Sequence, residues 1–175
     1  MLKLILMRHS KSSVSDKEGG DFDRPLSQRG KEAALRIGRA FAERSLVPAC
    51  ILCSPARRTR ETLSLVIEAM KVKPPVHYRD RLYAFGDGAA YLDEISQQEG
   101  ASPLLLIGHT PSTQNLAQKL AASGELAAIR RMNRKFPTSA AAVFAFPIRR
   151  WPELRRSNGA QGELQLFLTP KMLKQ

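Results

Sequence analysis

Short apolar runs, each closed by a charged or turn-forming residue, alternate along this 175-residue chain with stretches whose apolar residues recur at helical spacing. That alternation is what most restricts the fold. A strand buried on both faces reads as a continuous apolar run, and parallel neighbours must be joined by a crossover, usually a helix. The clearest runs are Leu2–Met7, Ala49–Cys53 and Pro103–Ile107, with a shorter one at 76–79 and two late ones near 139–146 and 163–168. Between them, Ala34, Ile37 and Phe41 mark a helix capped by Ser27 and ending near Arg44. Leu63, Val66, Ile67 and Met70 mark a second, halted before Pro74-Pro75, and further helices are expected near 88–98, 110–122 and 125–132. The pattern predicts an α/β chain: three layers, α/β/α, around a mainly parallel sheet of about six strands. The last two strands follow one another through Trp151 and a turn at Asn158-Gly159, without a helix. One edge of the sheet is therefore expected to be antiparallel. With 43% hydrophobic residues, residues 1–175 are expected to form a single domain.

Ligands of open α/β sheets sit beyond the carboxyl ends of the strands. Three strand ends here carry reactive or cationic residues: Arg8-His9-Ser10, Ser54 through Arg58, and Gly108-His109. Ser54-Pro55 and Thr110-Pro111 each read as a capping hydroxyl followed by proline at the first helical position. Helix starts favour anions through their unpaired amides and dipole. Two histidines, two arginines and two helix starts converging on one crevice describe a phosphate site in which one histidine is the nucleophile. His77 lies within a strand and is not expected to take part directly.

Other features narrow the function. Cys50 and Cys53 have metal-like spacing but fall in one strand, where residues three apart face opposite ways, so they are expected to be free buried thiols. No metal and no cofactor are expected. No run reaches the length of a membrane span, and Leu2–Met7, broken by Lys3, is too short for a signal peptide, so no membrane partner and a cytoplasmic location are expected. The 28 Lys and Arg outnumber the 16 Asp and Glu, giving a net charge of +12. Such a surface attracts anions. Much of the excess lies within 130–156, where Arg130, Arg131, Arg134, Lys135, Arg149, Arg150, Arg155 and Arg156 face one acid, Glu153. This stretch is either a solvated face or a recruiting surface for an acidic phosphoprotein. No nucleic-acid motif accompanies it, so nucleic acid is not an expected partner.

Arg8-His9-Ser10 resembles the Arg-His-Gly signature of the histidine phosphatase (phosphoglycerate-mutase-like) superfamily. Ser54-Pro55-Ala56-Arg57-Arg58-Thr59-Arg60-Glu61-Thr62 resembles its second motif, Ser-Pro-x-x-Arg-(Ala/Thr)-x-(Gln/Glu)-Thr. Leu106-Ile107-Gly108-His109-Thr110-Pro111 resembles its late Gly-His motif. Asp23-Arg24-Pro25-Leu26-Ser27-Gln28-Arg29-Gly30 and Lys135-Phe136-Pro137-Thr138-Ser139 point to the SixA-like phosphohistidine phosphatase branch. The resemblance implies a phosphoglycerate-mutase-like fold. It also implies that His9 takes the phosphoryl group and water releases it as inorganic phosphate. Arg8 and Arg58 would hold the phosphoryl oxygens and His109 would complete the pocket. Arg58, not Arg57, matches the motif; neighbouring helical side chains point about 100° apart, which leaves Arg57 at the surface or rim. Ser10 replaces the usual glycine, and its hydroxyl is a candidate donor to phosphate.

The general acid is the open position. Mutase-like members carry a glutamate in the loop after strand three, where this chain reads Asp80-Arg81-Leu82-Tyr83. Asp80 and Asp87 are the candidates. A chain without a dedicated acid suits one substrate class: an alkoxide leaving group needs a proton, whereas the imidazole of phosphohistidine leaves neutral if its other nitrogen is protonated. The leading expectation is therefore a phosphatase for protein phosphohistidine. The alternatives are a phosphatase or mutase for small phosphate esters, and a phosphate-binding module without turnover.

Overall fold

The computed structural model describes residues 1–14, 20–157 and 161–173. The expected turn at Asn158-Gly159 lies outside the described residues. Twelve main elements follow in chain order: β1 (Leu2–Arg8), α1 (Gln28–Glu43), β2 (Cys50–Cys53), α2 (Arg57–Met70), β3 (Val76–Tyr78), α3 (Ala89–Ser96), β4 (Leu104–Gly108), α4 (Ser112–Leu120), β5 (Ala121–Gly124), α5 (Leu126–Arg134), β6 (Ala141–Phe146) and β7 (Gly162–Leu168). Asp80–Tyr83, Trp151–Ser157 and Pro170–Leu173 form 3-10 turns.

The strands make one sheet in the order β3-β2-β4-β1-β6-β7-β5. β3, β2, β4 and β1 are parallel, while β6 runs antiparallel to both β1 and β7. The expected count of about six strands becomes seven because the short β5 pairs in parallel with β7. The antiparallel strand thus lies inside the sheet, between β1 and β7. Covered strands alternate their side chains between two layers. Ile5, Met7, Ile51, Cys53, Leu105 and Ile107 pack against Ile37 and Phe41 of α1 and Leu63 and Val66 of α2. Leu4, Leu6, Leu52, Leu104 and Leu106 pack on the other face against Tyr91, Ile95, Leu116 and Trp151. Cys50 and Cys53 fall on opposite faces, both buried and free. No described helix is long and apolar enough to cross a membrane.

Register brings the strand ends together. β4 lies between β2 and β1, with Ile107 level with Cys53 on one side and Met7 on the other. His9, Ser54 and His109 therefore leave the sheet side by side. The basic stretch at 130–156 is divided by the same geometry. Lys135 precedes β6 at the Arg8 end, but Phe146 pairs with Leu2, so Arg149 and Arg150 emerge at the far end. Six residues of strand separate the ends, about 20 Å at the usual rise.

Candidate active site

β1 delivers His9 into a buried position, 7% exposed, and the following turn fixes its ring. Nδ1 lies 2.7 Å from the Ser10 carbonyl oxygen. A carbonyl only accepts, so Nδ1 carries the proton and Nε2 keeps its lone pair. That lone pair accepts from Arg58 Nε at 3.3 Å. The His9 amide donates to the Gly108 carbonyl and the Ser139 amide donates to the His9 carbonyl, so β4 and the entry to β6 clamp the residue from both sides.

His109 follows β4 with its ring centroid 5.2 Å from that of His9. Its Nδ1 is 3.2 Å from Arg58 Nη2, which can only donate, so Nε2 bears the proton and donates to Ser54 Oγ at 2.8 Å. The His109 amide donates to Tyr91 Oη, and Tyr91 Oη donates to the Leu82 carbonyl. The Tyr91 ring occupies the space a Cβ on residue 108 would need, which accounts for the glycine before His109. Burial pushes both imidazoles down, His9 to about 4 and His109 to about 3, with the nearby cations acting in the same direction. Both rings are neutral at pH 7.

Arg58 sits in the first turn of α2, is 2% exposed, and bridges the two histidines. Its remaining donors reach Asp21: Nη1 to the carbonyl oxygen at 2.7 Å and Nη2 to Oδ2 at 3.1 Å. Tyr83 Oη donates to the same Oδ2 at 2.8 Å, and Arg24 pairs with Oδ1 at 3.1 Å. The tyrosine hydrogen bond and these cations hold the Asp21 carboxyl below its usual range. The loop carrying Asp21 is tied to α2, where the Arg57 amide donates to the Phe22 carbonyl and Glu61 accepts from the Leu26 amide. Arg57 itself points outward and pairs with Glu61 at 2.7 Å.

Arg8 flanks the opposite side. Its Nη1 donates to the Phe136 carbonyl at 3.0 Å, its Nε is buried without a partner, and burial and the Arg58 charge lower its affinity for its proton. Ser10 turns into the protein: it is fully buried, its amide donates to Thr62 Oγ1, and its Oγ accepts from Ser139 Oγ at 2.6 Å. The Ser10 hydroxyl thus joins the first motif to the 135–139 segment rather than lining open space. Asp87 is exposed, with its carboxylate held by Lys119 Nζ and the Ala89 amide. Asp80 opens an exposed 3-10 turn. Neither carboxylate contacts His9, Arg58 or His109. His77 lies in β3, paired with Leu52.

The helix starts differ from expectation. α2 begins at Arg57, with Ala56 at its cap position, and Ser54 Oγ accepts from the Ala56 amide at 3.4 Å while it meets His109 Nε2. α4 begins at Ser112, and Thr110 Oγ1 is buried without a partner. Ser112 Oγ binds the 84–86 loop instead, accepting from the Gly86 amide and donating to the Ala84 carbonyl. That loop presents aromatic rings to the site: Tyr83 and Phe85 lie 5.5 and 5.7 Å from the His109 ring, and Phe22 lies 5.1 Å from Tyr83. Asp21, Tyr83 and Phe85 were not singled out by their sequence positions. The signal that could have found Tyr83 and Phe85 is an aromatic-rich loop following a parallel strand, the usual address of binding residues. Among the described residues, no group of three or more His, Cys, Asp or Glu is arranged to hold a metal ion.

The model of the histidine phosphatase superfamily, branch 1, matches residues 4–101, which takes in Arg8, His9 and Arg58 and stops short of His109. An uncharacterised protein of Mycobacterium tuberculosis H37Rv is 41% identical over 141 residues, covering 78% of this chain and 85% of its own length. Among solved structures, a candidate phosphohistidine phosphatase SixA from Agrobacterium tumefaciens superposes with a TM-score of 0.80 at 26% identity, over 97% of this chain and 98% of the other. A SixA of the same description from Nakamurella multipartitia gives 0.77 at 30% identity, over 97% and 96%.

Proposed function

The chain belongs to the histidine phosphatase superfamily, and we propose that it is a phosphatase that works through a phosphoryl group carried on His9 and acts on phosphohistidine in proteins. One observation carries this reading. Arg58 donates to His9 Nε2 and His109 Nδ1 at once, so a buried cation and a neutral, correctly protonated nucleophile share one point in space. Arg58 Nε passes its hydrogen bond from His9 Nε2 to a phosphoryl oxygen of the incoming substrate, and the freed Nε2 lone pair attacks phosphorus from the side opposite the leaving group. A P–N bond forms as the bond to the leaving nitrogen breaks, and that electron pair stays with the leaving imidazole. Arg58 and Arg8 neutralise the phosphoryl oxygens as charge redistributes. Water then attacks phosphorus, the P–N bond to His9 breaks, inorganic phosphate departs, and Nε2 regains its lone pair.

Two features favour a phosphohistidine over an alkyl phosphate. Among the described residues, no free carboxylic acid stands beside His9: Asp21 is held ionised, and Asp80 and Asp87 lie elsewhere. An imidazole already protonated on its other nitrogen leaves neutral and needs no such acid. The wall of Tyr83 and Phe85 also suits a flat aromatic leaving group. The SixA likeness supports the same class. The test is turnover of a phosphohistidine-bearing protein against a panel of small phosphate esters, with no metal added. The proposal expects the phosphohistidine protein to have the higher kcat/KM. Faster ester turnover would assign the site to small phosphate esters.

A further inference from the structure

Beside Arg8, on the α1 side of the sheet, a groove of about 830 Å³ runs away from the site. Six cations line it: Arg8, Lys11, Arg29, Arg36, Lys135 and Lys171. No acid does. This volume far exceeds what one phosphoryl group needs and falls in the range of whole-ligand clefts. The cations come from separate segments: the end of β1 and the turn after it, one face of α1, the entry to β6 and the exit from β7. Arg29, Ala33 and Arg36 share that face at helical spacing.

These cations gather around one cleft whose described lining holds no carboxylate to offset them. Several arginines elsewhere do have such a partner: Arg57 with Glu61, Arg58 with Asp21, Arg79 and Arg81 with Glu94, Arg155 with Asp93. Among the described residues, none of the six groove cations forms an ion pair. Arg36 Nε and Arg8 Nε are, in addition, buried donors without an acceptor. Unpaired like charges gathered around one cleft repel one another, and an external anion removes that cost. The floor says which anion. Ala33, Pro137 and Pro170 give apolar surface between the cations, and Thr138 and Thr169 add hydroxyl groups. A bare polyphosphate has no use for an apolar floor, whereas a polypeptide with acidic side chains on methylene stems uses both.

We infer that this groove is a second recognition site, which holds an acidic segment of the phosphorylated protein while its phosphohistidine meets His9; the inference rests on the protein-substrate reading above. Arg149 and Arg150, at the far end of the sheet, take no part in it. Binding is read first without chemistry, using a tagged, unphosphorylated Asp/Glu-rich peptide, the intact protein and a double variant Arg36→Glu, Lys171→Glu. The wild type binds the peptide with affinity that falls as salt rises, and the variant binds it about tenfold or more weakly. Kinetics are read second. For a phosphohistidine peptide with acidic flanks, KM rises about tenfold in the variant with kcat unchanged, and hydrolysis of para-nitrophenyl phosphate is unaltered. Equal peptide binding by wild type and variant overturns the inference. So does binding of inorganic tripolyphosphate in the groove with no binding of the peptide. If phosphohistidine is not hydrolysed yet peptide binding is lost in the variant, the groove stands and the phosphohistidine reading fails.

Discussion

Arg58 is 2% exposed, and both imidazoles of the site accept from it. A buried guanidinium needs acceptors on all its nitrogens, and Asp21 supplies the rest. Arg58→Ala removes the group aimed at the phosphoryl oxygens, and steady-state kinetics are expected to record a loss of about 10²-fold or more in kcat/KM. Near-normal kinetics would remove Arg58 from that role. Asp21 and phosphate compete for the same Nη2 donor, so Asp21→Asn is expected to tighten inhibition by inorganic phosphate several-fold; an unchanged inhibition constant would remove Asp21 from the site. His9, Arg58 and His109 were legible in the sequence because each stands at a fixed offset from a strand end, where the alternation of strands and helices already determines position. Asp21 was not. It lies in a loop without periodicity, and its part depends on that loop folding back onto α2 through Phe22 and Leu26, contacts that no local pattern encodes.

At the scale of elements, the α1–α2 contact fixes the helix that carries Arg58. A Cβ on Gly38 would lie 2.6 Å from the Val66 carbonyl oxygen and 2.7 Å from Ala69 Cβ. In an open helix, glycine to alanine stabilises by about 1 kcal/mol. Here Gly38→Ala is expected to destabilise by about 1–3 kcal/mol, because two helices must separate to admit the methyl group. Urea unfolding measures this as a lower midpoint at constant slope; a raised midpoint would mean the helices are not in such close contact. The same scale shows where sequence patterns mislead. Ser27 caps α1 as its position predicts, accepting from the Gly30 amide. Ser54 and Thr110 look equivalent in sequence but neither occupies a cap position: the Ser54 hydroxyl accepts from the Ala56 amide at 3.4 Å, ahead of α2, and meets the His109 imidazole at 2.8 Å. Capping propensity is local, and a buried imidazole proton in need of an acceptor outweighs it. The lack of a helix before β7 predicts an antiparallel strand at an edge, yet β6 lies inside the sheet because β7 pairs along its other side, with β5 beyond.

At the scale of the molecule, the site stores a charge conflict that pH exposes. In the unfolded chain both histidines take up protons as pH falls through about 6.5, whereas the folded site holds His9 neutral down to about 4 and His109 to about 3. Stability is therefore full above about pH 7 and falls as pH drops toward 4, by an amount on the order of a few kcal/mol. Unfolding measured across pH 4–7 is expected to show this loss, and a His9→Asn, His109→Asn variant to show less of it; identical slopes would mean the imidazoles titrate normally. The net charge was visible in composition, but its distribution was not. Only the register of β6 against β1 sends Arg149 and Arg150 to one end and leaves Lys135 beside Arg8. Every part of this reading converges on the lone pair at His9 Nε2. The most direct measurement is trapping of the phosphoenzyme in alkali: brief exposure to a phosphohistidine protein carrying labelled phosphate, alkaline quenching and peptide mapping by mass spectrometry. One labelled, acid-labile phosphoryl group is expected on the peptide bearing His9, and none in His9→Ala. Labelling elsewhere, or full turnover by His9→Ala, would contradict it.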